Sequence, residues 1–186
     1  MLLIGLATLL SGSAAWAQAR PKAKPRVTTV YLVRHAEKDT TASPTDPPLS
    51  AVGEVRAQAL SQLLARRHPA ALFTTDTKRT RATLTPLASA TRLVPHVYNP
   101  KETTALALLL RKEYVGKTVV VVGHSNTLLP LIESLGGTPP VEAIADNEYD
   151  YLFTVRIVEG TLPKVSMQGY GPERRLQAAA KASRTR

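Results

Sequence analysis

Val30-Tyr31-Leu32-Val33-Arg34-His35-Ala36-Glu37 is a run of β-forming residues that stops at an Arg-His pair. The same design recurs downstream in Val119-Val120-Val121-Val122-Gly123-His124-Ser125. Each apolar strand delivers a histidine at its C-terminal end, and the strand ends of a parallel sheet are where α/β proteins place their sites. Only four histidines exist in the chain, and two of them occupy this position.

Outward from the first strand, the pattern alternates. Thr28 to Val33 reads as a strand, followed by a turn-rich loop from Thr40 to Pro48. Ser50 caps a helix expected to reach Arg67, with Val52, Val55, Ala59, Leu60, Leu63 and Leu64 on its apolar face and Arg56, Gln58, Gln62 and Arg66 opposite. Ala70 to Thr74 is a short strand, and a helix opens at Asp76 or Thr77 and runs to about Ala90. Leu93 to Tyr98 reads as a strand ended by Pro100, and Thr103 to Tyr114 as a helix with Gly116 behind it. Thr118 to Val122 is apolar throughout, as a strand covered on both faces requires. Pro130 belongs in a first turn, which places the next helix start near Asn126 or Thr127. Tyr151 to Val158 and Lys164 to Met167 form a late hairpin or edge pair. Ala178 to Ala180 reads as a short helix or a loose tail. This order predicts a three-layer α/β/α sandwich around a mostly parallel sheet.

With 186 residues, 44% of them hydrophobic, the chain has the length for one ordinary domain. Residues 1–17 carry an apolar run and end Ala15-Trp16-Ala17, the pattern of a cleaved secretory signal, so a periplasmic or secreted location is expected. Residues 18–26 form a basic Pro/Lys linker, 27–170 the domain, and 171–186 a basic tail. There is no cysteine, which excludes disulfides and thiolate metal sites. The formal charge of +10 is concentrated at the ends: residues 27–172 hold 15 Lys and Arg against 13 acids. Nucleic acid is therefore not an expected partner, although the basic ends could touch an anionic envelope weakly.

The residue types at the two strand ends suit phosphoryl transfer. Arginine forks bind phosphoryl oxygens in pairs. Neutral imidazole is a competent nucleophile at physiological pH, and a second histidine can hold an oxygen of the group in transit. Free N–H groups at a helix N-terminus add to this.

Leu32-Val33-Arg34-His35-Ala36-Glu37 resembles the signature of the histidine phosphatase superfamily, also called phosphoglycerate mutase-like, with Ala36 where glycine is usual. Asp46-Pro47-Pro48-Leu49-Ser50 with Gly53 resembles the loop that opens the family's first helix. Lys78-Arg79 with Thr83 resembles the segment carrying its second arginine, and Val122-Gly123-His124-Ser125-Asn126 its second-histidine strand end. The resemblance spans roughly residues 28–158. It implies His35 as nucleophile, Arg34 and Arg79 as phosphoryl clamps, and His124 as the group completing the pocket. Some relatives place an acid directly after the second histidine, where this chain has Ser125. Others supply a glutamate after the third strand, which here is Glu102; Glu37 is its rival.

Plainer roles are assigned elsewhere. His68 and His96 are structural or surface residues, Asp76 is a helix cap, and Arg81 points away from the site. Ser125 and Asn126 serve the pocket or cap the helix. Asp146, Glu148 and Asp150 form a solvated acidic loop. A serine hydrolase elbow fails because Thr127 stands where glycine is needed and no histidine follows Ser125. No H-x-x-x-H pattern or acidic ligand set is present, so neither metal nor cofactor is expected. The expected activity is that of a metal-independent phosphatase on a small phosphorylated substrate or a phosphoprotein: sugar phosphates, lipopolysaccharide-core phosphates and protein phosphohistidine are the classes considered. A mutase is disfavoured by the short connections between strands. A phosphate- or polysaccharide-binding module without turnover is the non-enzymatic alternative. Substrate choice would fall to the rim loops Thr40–Pro48, Asn99–Thr104 and Gly137–Tyr149.

Overall fold

A computed structural model describes residues 25–43 and 45–172. Residues 1–17, read above as a secretory signal, most of the expected linker and most of the expected basic tail lie outside the described residues, as does the Ala178–Ala180 segment.

Six strands form one sheet in the order β3-β2-β4-β1-β5-β6. They are β1 (Val27–Arg34), β2 (Ala71–Thr74), β3 (His96–Val97), β4 (Thr118–Gly123), β5 (Tyr151–Val158) and β6 (Lys164–Gly169). The first four strands are mutually parallel; β5 runs antiparallel to β1 and β6 antiparallel to β5, giving the late hairpin. Four helices cover the sheet: α1 (Ala51–Leu64), α2 (Lys78–Thr91), α3 (Thr103–Glu113) and α4 (Ser125–Ser134). This is a three-layer α/β/α sandwich around a mostly parallel sheet.

Strand alternation sorts the core into two apolar layers. Val30, Leu32, Val119 and Val121 face Leu106, Leu110, Leu128 and Ile132 of α3 and α4. Val33, Val120 and Val122 face Leu60, Leu64, Leu84 and Leu87 of α1 and α2. Val119 through Val122 are completely buried, which explains their unbroken apolar run.

Three elements differ from the sequence expectation. Helix α1 is rotated: Val52 and Val55 are 52% and 54% exposed, while Arg56 is 2% exposed. Two contacts set this rotation. A Cβ at Gly53 would collide with the Glu37 carbonyl, so α1 crosses that backbone closely. The Arg56 guanidinium then grips the Glu37 carboxylate from Nε at 2.9 and 3.0 Å and from Nη2 at 2.7 Å. A buried ion pair has overridden apolar periodicity.

Strand β3 is cut to two residues. Arg92 before it is left-handed at φ 58°, and Pro95 has no N–H to give the ladder. Pro130 lies in the sixth position of α4 rather than its first turn. It faces solvent, as does Asn126, whose carbonyl loses its helical donor and can be hydrated instead.

Candidate active site

The register of the two central strands brings the histidines together. Arg34 of β1 is paired with Gly123 of β4, so the next residue on each strand is a histidine. The His35 N–H continues the ladder by donating to the Gly123 carbonyl at 2.9 Å. The two imidazoles meet edge to face, with centroids 5.4 Å apart.

His35 is 4% exposed. Its Nδ1 lies 2.8 Å from the Ala36 carbonyl oxygen. A carbonyl can only accept, so Nδ1 carries the proton of the neutral ring and Nε2 keeps a free lone pair. Burial, then the positive charge of Arg79, the neighbouring His124 and the Arg34 charge, pushes His35 down to about 3 despite the Ala36 carbonyl. His124 is lowered to about 4 by burial and by Arg79 and Arg34. Both rings are therefore neutral across the physiological range. His124 Nε2 is 2.9 Å from the buried Thr75 hydroxyl, which is linked in turn to Thr80 at 3.0 Å.

Arg34 is fixed from outside the pocket. Its Nη1 donates to the carbonyls of Ala145, Asp146 and Glu148 at 2.7, 3.2 and 3.2 Å, and its guanidinium stacks 4.3 Å from the Tyr149 ring centre. The loop that holds it is braced by Glu148, which accepts from the Ala145 N–H at 2.7 Å and the Tyr151 hydroxyl at 2.5 Å. Arg79, on the first turn of α2, is 3.6 Å from Asp46. Thr83, one turn later, donates to the Arg79 carbonyl at 2.7 Å and accepts from the Ala36 N–H at 2.9 Å, tying α2 to the end of β1. The Nε atoms of both arginines are buried without a hydrogen-bond acceptor among the described residues. Unmet buried donors are costly, and an oxyanion between the two guanidinium groups would satisfy them.

Arg34, His35, Arg79 and His124 line one cavity of about 570 Å³, together with Ser125 and Asn126 at the start of α4. That volume exceeds what a phosphoryl group alone needs. Lys38, Lys101 and Asp146 complete its charged lining. Lys101 and Asp146 fall in rim loops expected to set substrate choice but were not singled out as site residues, and Lys38 lay outside those loops, because exposed side chains on loops leave no periodic signal. Asp146 Oδ1 stands 3.7 Å from Arg34 Nη2. Glu102 is placed next door: its carboxylate accepts from the Asn99 side chain at 3.0 Å and faces a neighbouring groove with His96 and Tyr98, while Pro100 and Lys101 just before it line the cavity. Glu37 is held by Arg56 and does not line the cavity. Arg81 pairs with Asp76 on the exposed side of α2. Among the described residues no cluster of three or more His, Asp or Glu is placed to hold a metal ion.

The sequence profile of the histidine phosphatase superfamily, branch 1, matches residues 30–101, a segment that includes Arg34, His35 and Arg79. Over that segment the chain is similar to the histidine phosphatase superfamily. Solved structures share the fold. Mycobacterial hydrolase 1 is 15% identical with a TM-score of 0.64, covering 79% of this chain and 100% of its own. A mycobacterial glucosyl-3-phosphoglycerate phosphatase is 16% identical with a TM-score of 0.62, covering 77% and 98%. The protein histidine phosphatase SixA, solved with tungstate, is 18% identical with a TM-score of 0.60, covering 76% and 96%. No curated protein sequence matches the chain. The chain thus shares its fold with these proteins, and the segment that carries Arg34, His35 and Arg79 is similar in sequence to histidine phosphatases.

Proposed function

We propose that the protein hydrolyses phosphomonoesters without a metal, through a phosphohistidine on His35. The observation that carries this is the meeting of two neutral imidazoles and two guanidinium groups around one cavity. In the first step the Nε2 lone pair of His35 attacks phosphorus and the ester oxygen leaves with the electron pair of its P–O bond. Arg34, Arg79 and His124 hold the three non-bridging oxygens, whose charge the guanidinium groups offset. Water then attacks the phosphohistidine and frees inorganic phosphate and His35.

The leaving oxygen needs a proton. We assign its delivery to Glu102, whose supporting feature is its place directly behind the cavity-lining Pro100 and Lys101. Access requires the Asn99 contact to open. Asp146 is the second reading, favoured by its position within the cavity lining itself. A sugar-acid phosphate and a protein phosphohistidine, the substrate types for which two structural neighbours are named, both present the group this pocket suits. The proposal includes export on the leader-like residues 1–17, checked by N-terminal sequencing of protein recovered from the cell envelope.

The test is hydrolysis of p-nitrophenyl phosphate in EDTA, with a radiolabelled phosphomonoester and denaturation in alkaline detergent to trap a phosphoenzyme that is stable in alkali and lost in mild acid. Turnover in EDTA and a label that vanishes in His35→Ala are expected. Phosphate binding without turnover by the pure protein would make it a binding module instead.

A further inference from the structure

Three threonine hydroxyls stand in a row behind the second histidine. Thr75 directly follows β2, Thr77 caps α2, and Thr80 lies in the first turn of that helix. Thr75 and Thr80 are buried, so their hydroxyl protons must find acceptors inside the protein. His124 Nε2 is 2.9 Å from Thr75 Oγ1, which is 3.0 Å from Thr80 Oγ1, and Thr80 Oγ1 is 2.9 Å from Thr77 Oγ1.

The direction of each bond follows from the protons present. Thr80 has one hydroxyl proton, and its oxygen also lies 2.9 Å from the Thr75 carbonyl and 3.1 Å from the Thr77 carbonyl. Carbonyls only accept, so the Thr80 proton goes to them. The two lone pairs of Thr80 Oγ1 then accept from the hydroxyls of Thr75 and Thr77. The Thr75 proton is thereby committed, and the contact with His124 holds a proton only if Nε2 supplies it. Were Thr75 to donate to Nε2 instead, either its contact with Thr80 or the contacts of Thr80 with the carbonyls would set oxygen against oxygen with no hydrogen between them.

We infer that Thr75 is a positioning residue for His124, and that its oxygen, by accepting from Nε2, holds the neutral ring with its proton on Nε2. The two imidazoles are then opposite tautomers. His35 carries its proton on Nδ1 and keeps a lone pair on Nε2; His124 carries its proton on Nε2. A neutral ring has only one N–H to give, so the tautomer decides whether Nε2 is a donor or an acceptor. As a donor, Nε2 can pass its hydrogen bond from Thr75 to a phosphoryl oxygen without the ring becoming charged; as an acceptor it would repel that oxygen. This catalytic consequence rests on the phosphatase reading, whereas the tautomer does not.

Long-range proton–nitrogen NMR on protein with isotope-labelled histidine, at neutral pH, reads the tautomer of each ring without turnover. The His124 signals are assigned by their loss in His124→Gln. An Nε2–H ring is expected at His124. Thr75→Val removes the hydroxyl and should move those signals toward the average of the two tautomers. It should also lower kcat on p-nitrophenyl phosphate about tenfold, the worth of one hydrogen bond, with KM little changed. Thr75→Ser should restore both the tautomer and the rate. A wild-type His124 with its proton on Nδ1 overturns the inference, and this spectrum decides the point even if Thr75→Val fails to fold. A Thr75→Val protein that keeps the wild-type tautomer overturns it whatever its rate, as does one that loses the tautomer and keeps the rate. Turnover by a protein whose His124 is the Nδ1–H form sinks this inference alone. An Nε2–H ring that Thr75→Val releases, in a protein without turnover, keeps the positioning role and sinks the phosphatase reading.

Discussion

The inner wall of the pocket and its rim are built differently. The inner wall is strand-end backbone and its neighbours: His35 and His124 follow paired residues of two buried strands, Arg34 is locked by carbonyls and an aromatic face, and Arg79 stands beside Asp46 on a helix turn whose backbone Thr83 ties to the end of β1. The rim is loop: Lys38, Lys101 and Asp146 are exposed, and Glu102 is held by a single side-chain contact. Where the proposed phosphoryl group would sit, the chain presents largely buried groups fixed by the sheet and its helices. Where the remainder of a substrate lies, it presents mobile-stemmed charges that can be exchanged without disturbing the sheet.

The sharpest way to break this contrast is to remove an inner-wall group. Arg79→Ala should lower kcat/KM by about a hundredfold or more on every phosphoester, independent of the alcohol, as loss of a preorganised charge does. A loss that varied strongly with the alcohol would place Arg79 on the rim instead. The wall's support can be struck without touching the pocket. Arg56→Ala leaves Glu37 without its guanidinium, and the protein should lose about 3 kcal/mol in urea unfolding. A Glu37→Gln/Arg56→Met double variant should regain part of that, because the uncompensated charge is then gone.

Rim substitutions should depend on the substrate. Glu102→Gln is expected to cost about a hundredfold on an alkyl phosphate and far less on p-nitrophenyl phosphate, whose leaving group needs little help. Asp146→Asn should show little such dependence. The reverse pattern would transfer the proton to Asp146.

The smallest expected effect concerns pH. His35 and His124 are ordinary histidines when unfolded, titrating near 6.5, but stay neutral in the fold until about 3 and about 4. Below pH 6.5 the unfolded chain therefore binds more protons, and stability should fall as pH drops from 6.5 toward 4. Urea midpoints at pH 7 and pH 5 should differ more for the wild type than for His35→Gln. In kcat/KM, correction for the ionisation of the substrate near about 6 should remove most of the acid limb above pH 5.

How legible each region was in the sequence follows from the same contrast. Val30–Arg34 and Thr118–Val122 announce themselves because burial on both faces demands continuous β-branched and apolar residues, and the histidines at their ends follow from that. The Arg79–Thr83 spacing is a helical turn and reads directly. Arg56 misleads, since an arginine among alternating apolar positions looks like a solvent face; its burial depends on Glu37, nineteen positions earlier, a pairing that no local pattern encodes. Glu102 and Asp146 are loop carboxylates whose distance from the pocket depends on chain paths through Asn99 and Glu148. Lys38 and Lys101 are exposed and belong to no strand or helix, so only their shared cavity distinguishes them from other surface lysines.

The last residues after β6 carry a duty unrelated to the sheet. Arg56 Nη1 donates to the Tyr170 carbonyl at 2.9 Å, and the same guanidinium fills the space where a side chain at Gly171 would begin. The far end of the domain is thereby latched to the segment that follows His35. Trimming the chain back to residue 169 would unfasten that latch from 114 positions away, and a bulky residue at 171 would jam it; either change should loosen His35 while leaving every group in the pocket intact.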